Sequence, residues 1–514
     1  MNYILLLILL VSFILRFWDL GGMPPHLRND EAALGYNGYS ILKTARDEHG
    51  EFIPLFFQSF GDWKMGLYVY LIVPFIAVFG LNELAVRLPS AIAGVISVWL
   101  LYEIVLCMFA SKRLALIASL VFGISPIFIV FSRGAWEVNL SLTLTMAAIF
   151  FFLKAVSGRS KLFLFSSLFF GLTLLASHTA KLSTPVILVI LFIAYLKQVK
   201  RISLKIIYLS VIIFLFFTIP LALSFTQGKV ARLQTLSIFS YNLSTQDTYS
   251  SIASRWFSLY SFSTLFLKGD SNPQHTPPNT GLLLLLDSLF LILGAITLIR
   301  RGSKQQNIFI WSSLFLLSLP SVLTIEKINL ERVLPMFIPL VILTSIGINS
   351  LGNFKKNIMI IFIFFYALNF IYFLDQYFVH AQKKNDAWQY GYKQIVEQVT
   401  PLKNQYQKII VQQSLEHPYI FFLFYQKYDP VKYQAISKKV FMPNKTGKDM
   451  GFVSRIDNIE FQDIDWSNKK PMKDNLYVMP LYKLEQQQKF FKDYKQVMEI
   501  KDLNGFSLFK IVKI

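Results

Sequence analysis

Long apolar runs recur along this chain from Met1 to about Asp375, each near the roughly 20 residues that a helix needs to cross the hydrocarbon core of a bilayer. No other feature constrains the fold as much. Inside lipid every backbone polar group must be satisfied within the protein, so only helices and closed barrels can span. The runs are continuous rather than alternating, which selects helices. The residue content agrees: 54% of the 514 residues are hydrophobic, 49 are Phe, and only 16% are charged. The chain therefore reads as a multi-pass helical membrane protein. Its net charge of +20 does not argue for nucleic acid, because the Lys and Arg cluster in short loops between apolar runs and in a polar tail. The single cysteine, Cys107, lies inside an apolar run, so neither a disulfide framework nor a cysteine metal site is expected. The first run, NYILLLILLVSFILRFW, lacks a basic start and a small-residue cleavage site, and is read as a retained helix.

Loop charge orients the runs. SKR at 111–113, KAVSGRSK at 154–161, KQVKRISLK at 197–205, RRGSK at 300–304 and NFKK at 353–356 are basic, and the positive-inside rule places them in the cytoplasm. Between them lie SRGAWEVN at 132–139, SHTAKL at 177–182, a long stretch at 224–280 and TIEKINLERV at 324–333, which then face outward. Counting back from SKR leaves residues 20–87 as one large outer loop. The apolar segment at 66–80 within it has only 15 residues and carries Pro74, which suits an interfacial helix better than a span. About 11 spans, with the N-terminus inside and the C-terminus outside, satisfy all five basic loops.

From about Gln376 the sequence turns polar. Short β-like runs (KIIVQQ, NLYVMPL, FSLFKIVKI) alternate with helical patterns (YGYKQIVEQV, KLEQQQKFFKDY). The expected architecture is mainly α. Residues 1–375 form a multi-pass transmembrane helical bundle, and residues 376–514 a small C-terminal α/β domain on the outer face. The tail has no Gly-rich phosphate loop and no nucleophile elbow, which leaves binding, docking or a structural cap as its roles. The sequons at Asn242 and Asn444 matter only in a compartment that glycosylates them.

The outer loops collect polar residues that are unusual for this chain. The first holds His26, Arg28, the adjacent carboxylates Asp30 and Glu31, and later Asp62, Trp63 and Lys64. The second gives Arg133 and Glu137, the third His178 and Lys181. The long loop carries Lys268, Asp270 and His275, and a later one Glu326 and Arg332. Any one of these has a bland reading as a solvated or snorkelling charge at a helix end. Their accumulation on one side, beside two neighbouring carboxylates, points to chemistry.

RNDEAALGYNGYSIL, then GDWKMGLYVYLIVPFIAVFGLNELAVRLPSAIAGVISVWLLY, then SPIFIVFSRGAWEVNLSLTLTMAAIFFFL together resemble the start of the protein O-mannosyltransferase-like membrane glycosyltransferases. These belong to the GT-C class, which also holds the aminoarabinose transferases and the oligosaccharyltransferase catalytic subunit. The resemblance covers roughly the first 200 residues. It implies a polyprenyl-phosphate sugar donor and transfer, with inversion, to an acceptor hydroxyl at the outer membrane face; protein Ser/Thr, a glycolipid and a cell-envelope glycan all qualify. A hydroxyl is a weak nucleophile and needs a carboxylate to take its proton. The position matching the family's acidic motif is Asp30, with Glu31 as its helper. The departing lipid phosphate calls for cations, for which the candidates are Arg332, Arg133, Lys181 and His178. Asp62, Lys64, Glu137 and Asp270 are candidates for substrate binding.

Some relatives use a divalent ion held by a D-x-D type pair in the second outer loop. Here that loop has only Glu137, a thin ligand set for a hard cation, so no metal or other cofactor is expected. The partners expected are the lipid-linked donor, the hydroxyl acceptor and the bilayer, with no nucleic acid, in a bacterial plasma membrane. A flippase or transporter of polyprenyl-linked glycans is the alternative. It fits less well because carriers place ionisable groups midway along their spans, and Glu103 and Asp287 are the clearest such residues here. An inactive assembly protein of the same fold is a third reading.

Overall fold

The structure, a computed structural model, describes residues 3–226, 237–240, 244–324, 328–351, 356–383, 388–443 and 451–514. Glu326 and the sequon residues Asn242 and Asn444 lie outside them. The chain divides into two compact units. One comprises Met1–Asp19 and Pro89–His380; the other joins Leu20–Leu88 to Ala381–Ile514.

The first unit is helical. It contains α1 (Tyr3–Phe17), most of α4 (Glu83–Phe109), α5 (Lys112–Ile124), α6 (Pro126–Arg133), α7 (Glu137–Val156), α8 (Leu162–Ala176), α9 (Ala180–Val199) and α10 (Leu204–Thr226). Beyond these come helices Thr245–Leu259, Asp287–Arg301, Lys304–Leu316, Phe337–Ser350 and Lys356–Asp375. A bend of 56° separates α5 from α6. Its cause is local: Ser125 precedes Pro126 and is pushed to an extended ψ of 130°. Helices Asp287–Arg301 and Phe337–Ser350 touch backbone to backbone, because a Cβ on Gly294 would stand 1.8 Å from the Leu343 carbonyl oxygen and one on Gly347 1.9 Å from that of Phe290. Small residues at such crossings are how helices associate in lipid.

Among the described residues five helices are long and apolar enough to cross a membrane, or six if the bent α5–α6 pair is one span. The expectation of about 11 exceeds this count because several apolar runs fold into helices of 13–15 residues, such as α1, α8 and Lys304–Leu316. The outward faces agree with a lipid setting. Leu204, Phe216 and Ile363 are among many large apolar side chains left exposed on α10 and Lys356–Asp375, a surface too extensive for a protein in water.

The second unit is mixed. Residues 20–88 contribute α2 (Asn29–Thr44), the antiparallel hairpin of β1 (Phe56–Ser59) and β2 (Asp62–Met65), and α3 (Leu67–Phe79), which packs on α2. The tail contributes a six-stranded sheet in the order β6-β7-β3-β8-β10-β9, formed by β3 (Lys408–Gln412), β6 (Arg455–Ile456), β7 (Ile459–Gln462), β8 (Asn475–Pro480), β9 (Lys495–Lys501) and β10 (Ser507–Lys513), while β4 (Phe441–Pro443) and β5 (Gly451–Val453) form a separate antiparallel pair. β3 runs parallel to β7 and β8, and the remaining pairs are antiparallel. The helical patterns read from the sequence become Tyr392–Val399 and Leu481–Gln487, and a wholly apolar Tyr419–Tyr425 is buried against α2. Gly35 makes that contact possible, since a Cβ there would meet the Phe424 ring at 2.5 Å. The α/β tail is therefore present, but it packs as one unit with residues 20–88.

Candidate active site

Asp30 and Glu31 occupy the first turn of α2, where a carboxylate meets the positive end of the helix dipole. Their surroundings differ sharply. Glu31 is fully buried, and its Oε2 accepts the backbone N–H of Arg28 at 3.1 Å, closing the helix start. Arg87 donates Nε to Glu31 Oε1 at 3.2 Å and Nη2 to Oε2 at 3.4 Å. The same guanidinium donates to the carbonyls of Leu20, Pro24 and His26 at 3.1, 2.9 and 2.7 Å. One buried ion pair thus fastens the loop before α2 to its first turn. Asp30 is half-exposed and forms an ion pair with Lys64 on β2.

Lys64 is positioned by the hairpin. Phe60 and Gly61 between the strands have φ of 60° and 86°, the pattern of a type I′ turn, which favours Asn-Gly. An aromatic residue in the left-handed region costs of order 1 kcal/mol. Packing offsets it: Phe60 stacks on His417 with centroids 4.3 Å apart and lies edge-on to Tyr419, while the Lys64 ammonium sits 5.0 Å from its ring centre. Burial lowers the His417 pKa to about 4, so this imidazole is neutral at physiological pH. Asp62 opens β2, and its Oδ1 accepts the Trp63 N–H at 2.8 Å.

A buried node ties α2 to the hairpin. Asn37 and Glu48 exchange hydrogen bonds, Glu48 N–H to Asn37 Oδ1 at 3.0 Å and Asn37 Nδ2 to Glu48 Oε1 at 3.2 Å. Ser59 Oγ donates to the same Glu48 oxygen at 2.7 Å. Burial pushes the Glu48 pKa up to about 7, against the lowering effect of these donors. Elsewhere in this unit His26 accepts the Lys393 N–H on Nε2 at 2.9 Å while its Nδ1 faces the Leu27 carbonyl at 2.8 Å, which fixes the neutral tautomer. Glu83 accepts from Lys393 Nζ at 2.8 Å and from the Tyr425 hydroxyl at 3.2 Å.

The remaining sequence-derived candidates belong to the helical unit. Arg133 is fully buried and donates to the carbonyls of Leu15 and Trp18, at 2.9 and 2.6 Å, and to that of Asp19 at 3.4 Å. It thereby caps the open carbonyls at the end of α1. Glu137 is the first residue of α7, where its charge complements the helix dipole. His178 and Lys181 come together, with Nζ and Nδ1 3.1 Å apart. Arg332 ends a short 3-10 turn, Leu330–Arg332. Asp270 is buried and accepts from His275 Nδ1 at 2.7 Å, while His275 Nε2 lies 3.2 Å from Glu331 Oε1. Burial opposes charge on His275, but hydrogen bonds to the two carboxylates outweigh it and hold its pKa above the usual imidazole value. Sequence reasoning singled out neither Arg87, Glu48, His417 nor Glu331. Among the described residues no group of three or more His, Cys, Asp or Glu side chains is arranged to hold a metal ion.

The family model for dolichyl-phosphate-mannose-protein mannosyltransferase matches residues 67–223. Among solved structures the chain is similar to ArnT from Cupriavidus metallidurans bound to undecaprenyl phosphate, with 12% identity, a TM-score of 0.59, and coverage of 99% of this chain and 97% of that one. The apo form of the same protein gives 13% and 0.57 over the same shares of the two chains. The oligosaccharyltransferase of Archaeoglobus fulgidus tethered to an acceptor peptide gives 13% identity and a TM-score of 0.51, covering 98% of this chain and 73% of that one. No curated protein matches the sequence. The resemblance read from the sequence is borne out at the level of the fold: the chain shares the fold of ArnT, and residues 67–223 match the mannosyltransferase family model.

Proposed function

We propose that this protein is a membrane glycosyltransferase that moves a monosaccharide from a polyprenyl-phosphate donor to an acceptor hydroxyl, with Asp30 as the general base. The observation that carries the reading is the contrast between the two adjacent carboxylates. Glu31 is buried and saturated by Arg87 and the Arg28 N–H, while Asp30 stays half-exposed at the start of the same helix, opposite Lys64. One carboxylate is fixed as scaffold so that its neighbour can meet a substrate.

In the reaction the acceptor oxygen attacks the anomeric carbon from the face opposite the phosphate, and its proton passes to Asp30. The bond between the anomeric carbon and the phosphate oxygen breaks, the electron pair leaves with the lipid phosphate, and the configuration inverts. Lys64 acts as the cation that exchanges its Asp30 partner for the donor phosphate, which frees the carboxylate to accept the proton. Arg332 and the Lys181–His178 pair, in the helical unit, are the remaining candidates for phosphate binding. Glu31 acts through Arg87 as a positioning residue, and Asp62 and Glu137 contact the sugar or acceptor. The expected absence of a metal stands as part of the proposal, to be tested by chelation and re-addition of magnesium or manganese.

The undecaprenyl phosphate bound to ArnT supports the donor class, and the acceptor peptide tethered to the archaeal oligosaccharyltransferase supports transfer to an acceptor. We place the N-terminus in the cytoplasm and the mixed unit outside. Loop charge supports this topology, and among the described residues five helices, or six with the bent α5–α6 pair, are long and apolar enough to span. The decisive test is transfer from a labelled polyprenyl-phosphate sugar by the purified protein in vesicles. Asp30→Asn should lower turnover by about 10²–10⁴-fold with expression and thermal stability retained. Near-wild-type turnover in that variant sinks the assignment. Translocation of the lipid-linked sugar by the wild type without transfer establishes the carrier instead.

A further inference from the structure

The helical unit holds a cavity of about 710 Å³, within the range of ~300–1,000 Å³ typical of small-molecule sites. Its chemistry is unusual for a membrane protein. Ser250, Ser254 and Ser258 recur every fourth residue of helix Thr245–Leu259 and present one hydroxyl-bearing face to it, with Ser251 and Arg255 alongside. The hydroxyls of Ser251, Ser254 and Ser258 have no hydrogen-bond partner among the described residues.

The lining also supplies a buried charge. Asp270, whose side chain is 2% exposed, lines the same cavity. Its Oδ2 is taken by His275 at 2.7 Å, but Oδ1 receives only long contacts from Ser271 Oγ and the Asn272 N–H, both at 3.4 Å. That oxygen retains accepting capacity. Arg255 already donates to the Thr324 carbonyl and offers further N–H groups.

The occupant follows from what these groups recognise. A phosphate or carboxylate would face the Asp270 charge, and an apolar ligand would leave the hydroxyls without partners. A sugar ring suits this lining: a carboxylate oxygen accepts from adjacent ring hydroxyls, serine hydroxyls donate and accept, and Ile328 offers an apolar surface to the ring. We infer that this cavity is a carbohydrate-binding site that takes a neutral pyranose ring, with its ring hydroxyls on Asp270 and the serine face. The inference goes beyond the proposed transfer and is independent of Asp30. The sugar is either a free glycan or the head of a glycolipid. Tyr249 and Phe257, exposed on the same helix as the serines, suit the lipid interface in the second case.

The full chain in lipid nanodiscs tests this in two arms. In the first, methyl α-mannopyranoside and methyl α-glucopyranoside are added and binding is read by saturation-transfer NMR. In the second, monoglucosyl diacylglycerol is included in the bilayer and binding is read as hydrogen-exchange protection across residues 245–276. Ring-proton signals in the first arm identify a free glycan, and protection in the second alone identifies a glycolipid head. Either response should vanish in Ser254→Phe, which fills the cavity from an exposed helix position, weaken about fivefold or more in Asp270→Asn, and survive in Asp30→Asn. Silence with all three probes, or a response unchanged in Ser254→Phe, overturns the inference.

Discussion

Two carboxylates that are neighbours in sequence are given different work by their surroundings, and substitution should separate them. Glu31→Gln keeps the shape of the side chain but leaves the Arg87 guanidinium buried without its counter-charge. Breaking such a pair from one side costs about 3–5 kcal/mol, so this variant should unfold at lower temperature in a melting experiment, whatever its activity. Lys64→Ala removes the buried member of a pair whose partner is half-exposed, which costs less than breaking a pair buried on both sides. Its melting temperature should fall less than that of Glu31→Gln, while the KM for the lipid-linked donor rises about tenfold or more. Equal losses of stability in the two variants would contradict the division of roles. The sequence makes the acidic pair visible, because two adjacent acids stand out in an apolar chain. It does not show which one is available to substrate. That depends on Arg87, 56 residues further on, and a long-range ion pair leaves no local pattern. Glu48 and His417 escape notice for the same reason: their burial and partners arise only when the hairpin, α2 and the tail pack together.

At the scale of elements, the node of Asn37, Glu48 and Ser59 links α2, which carries Asp30, to the hairpin that carries Lys64. Its titration gives a pH dependence of definite sign. Burial raises Glu48 from its ordinary value of 4.5 to about 7, so the folded state keeps this proton where the unfolded state has lost it. The stability from this group is fully present below pH ~4.5 and is lost as pH rises through the window up to about 7, by roughly 3 kcal/mol in total. Glu48→Gln cannot ionise, and chemical denaturation of the variant should show a shallower decline between pH 5 and 8 than the wild type. An unchanged slope would mean that Glu48 does not titrate there. Elements themselves were legible where periodicity is strong: KIIVQQ, NLYVMPL and FSLFKIVKI became β3, β8 and β10. Span lengths were less legible. A continuous apolar run does not record where a helix breaks, as before Pro126, or where it ends after 15 residues, as in α1 and α8.

At the scale of the whole molecule, the boundary that composition suggests near Gln376 separates segments that fold together. The shift from apolar to polar residues marks where the chain leaves lipid. It carries no information about which segment the tail packs on. Residues 20–88 reach the tail through His26 to Lys393, the Asn29 N–H to Gln389 Oε1 at 2.6 Å, and Gln434 Nε2 to Ser40 and Thr44 at 3.0 and 2.9 Å. The apolar helix Tyr419–Tyr425 covers α2. Without the tail, α2 would expose the face at Gly35 that Phe424 fills and keep only its packing on α3, which leaves a 16-residue helix with much less support. A chain ending at His380 should therefore insert into the membrane with its spans intact, yet be cut by protease within residues 20–88 and lose transfer. Adding residues 381–514 as a separate polypeptide should restore protection of the loop, because the two segments make one core. If the truncated chain keeps its loop protected and transfers sugar at the full-length rate, the tail is a detachable accessory and the shared core has no functional weight.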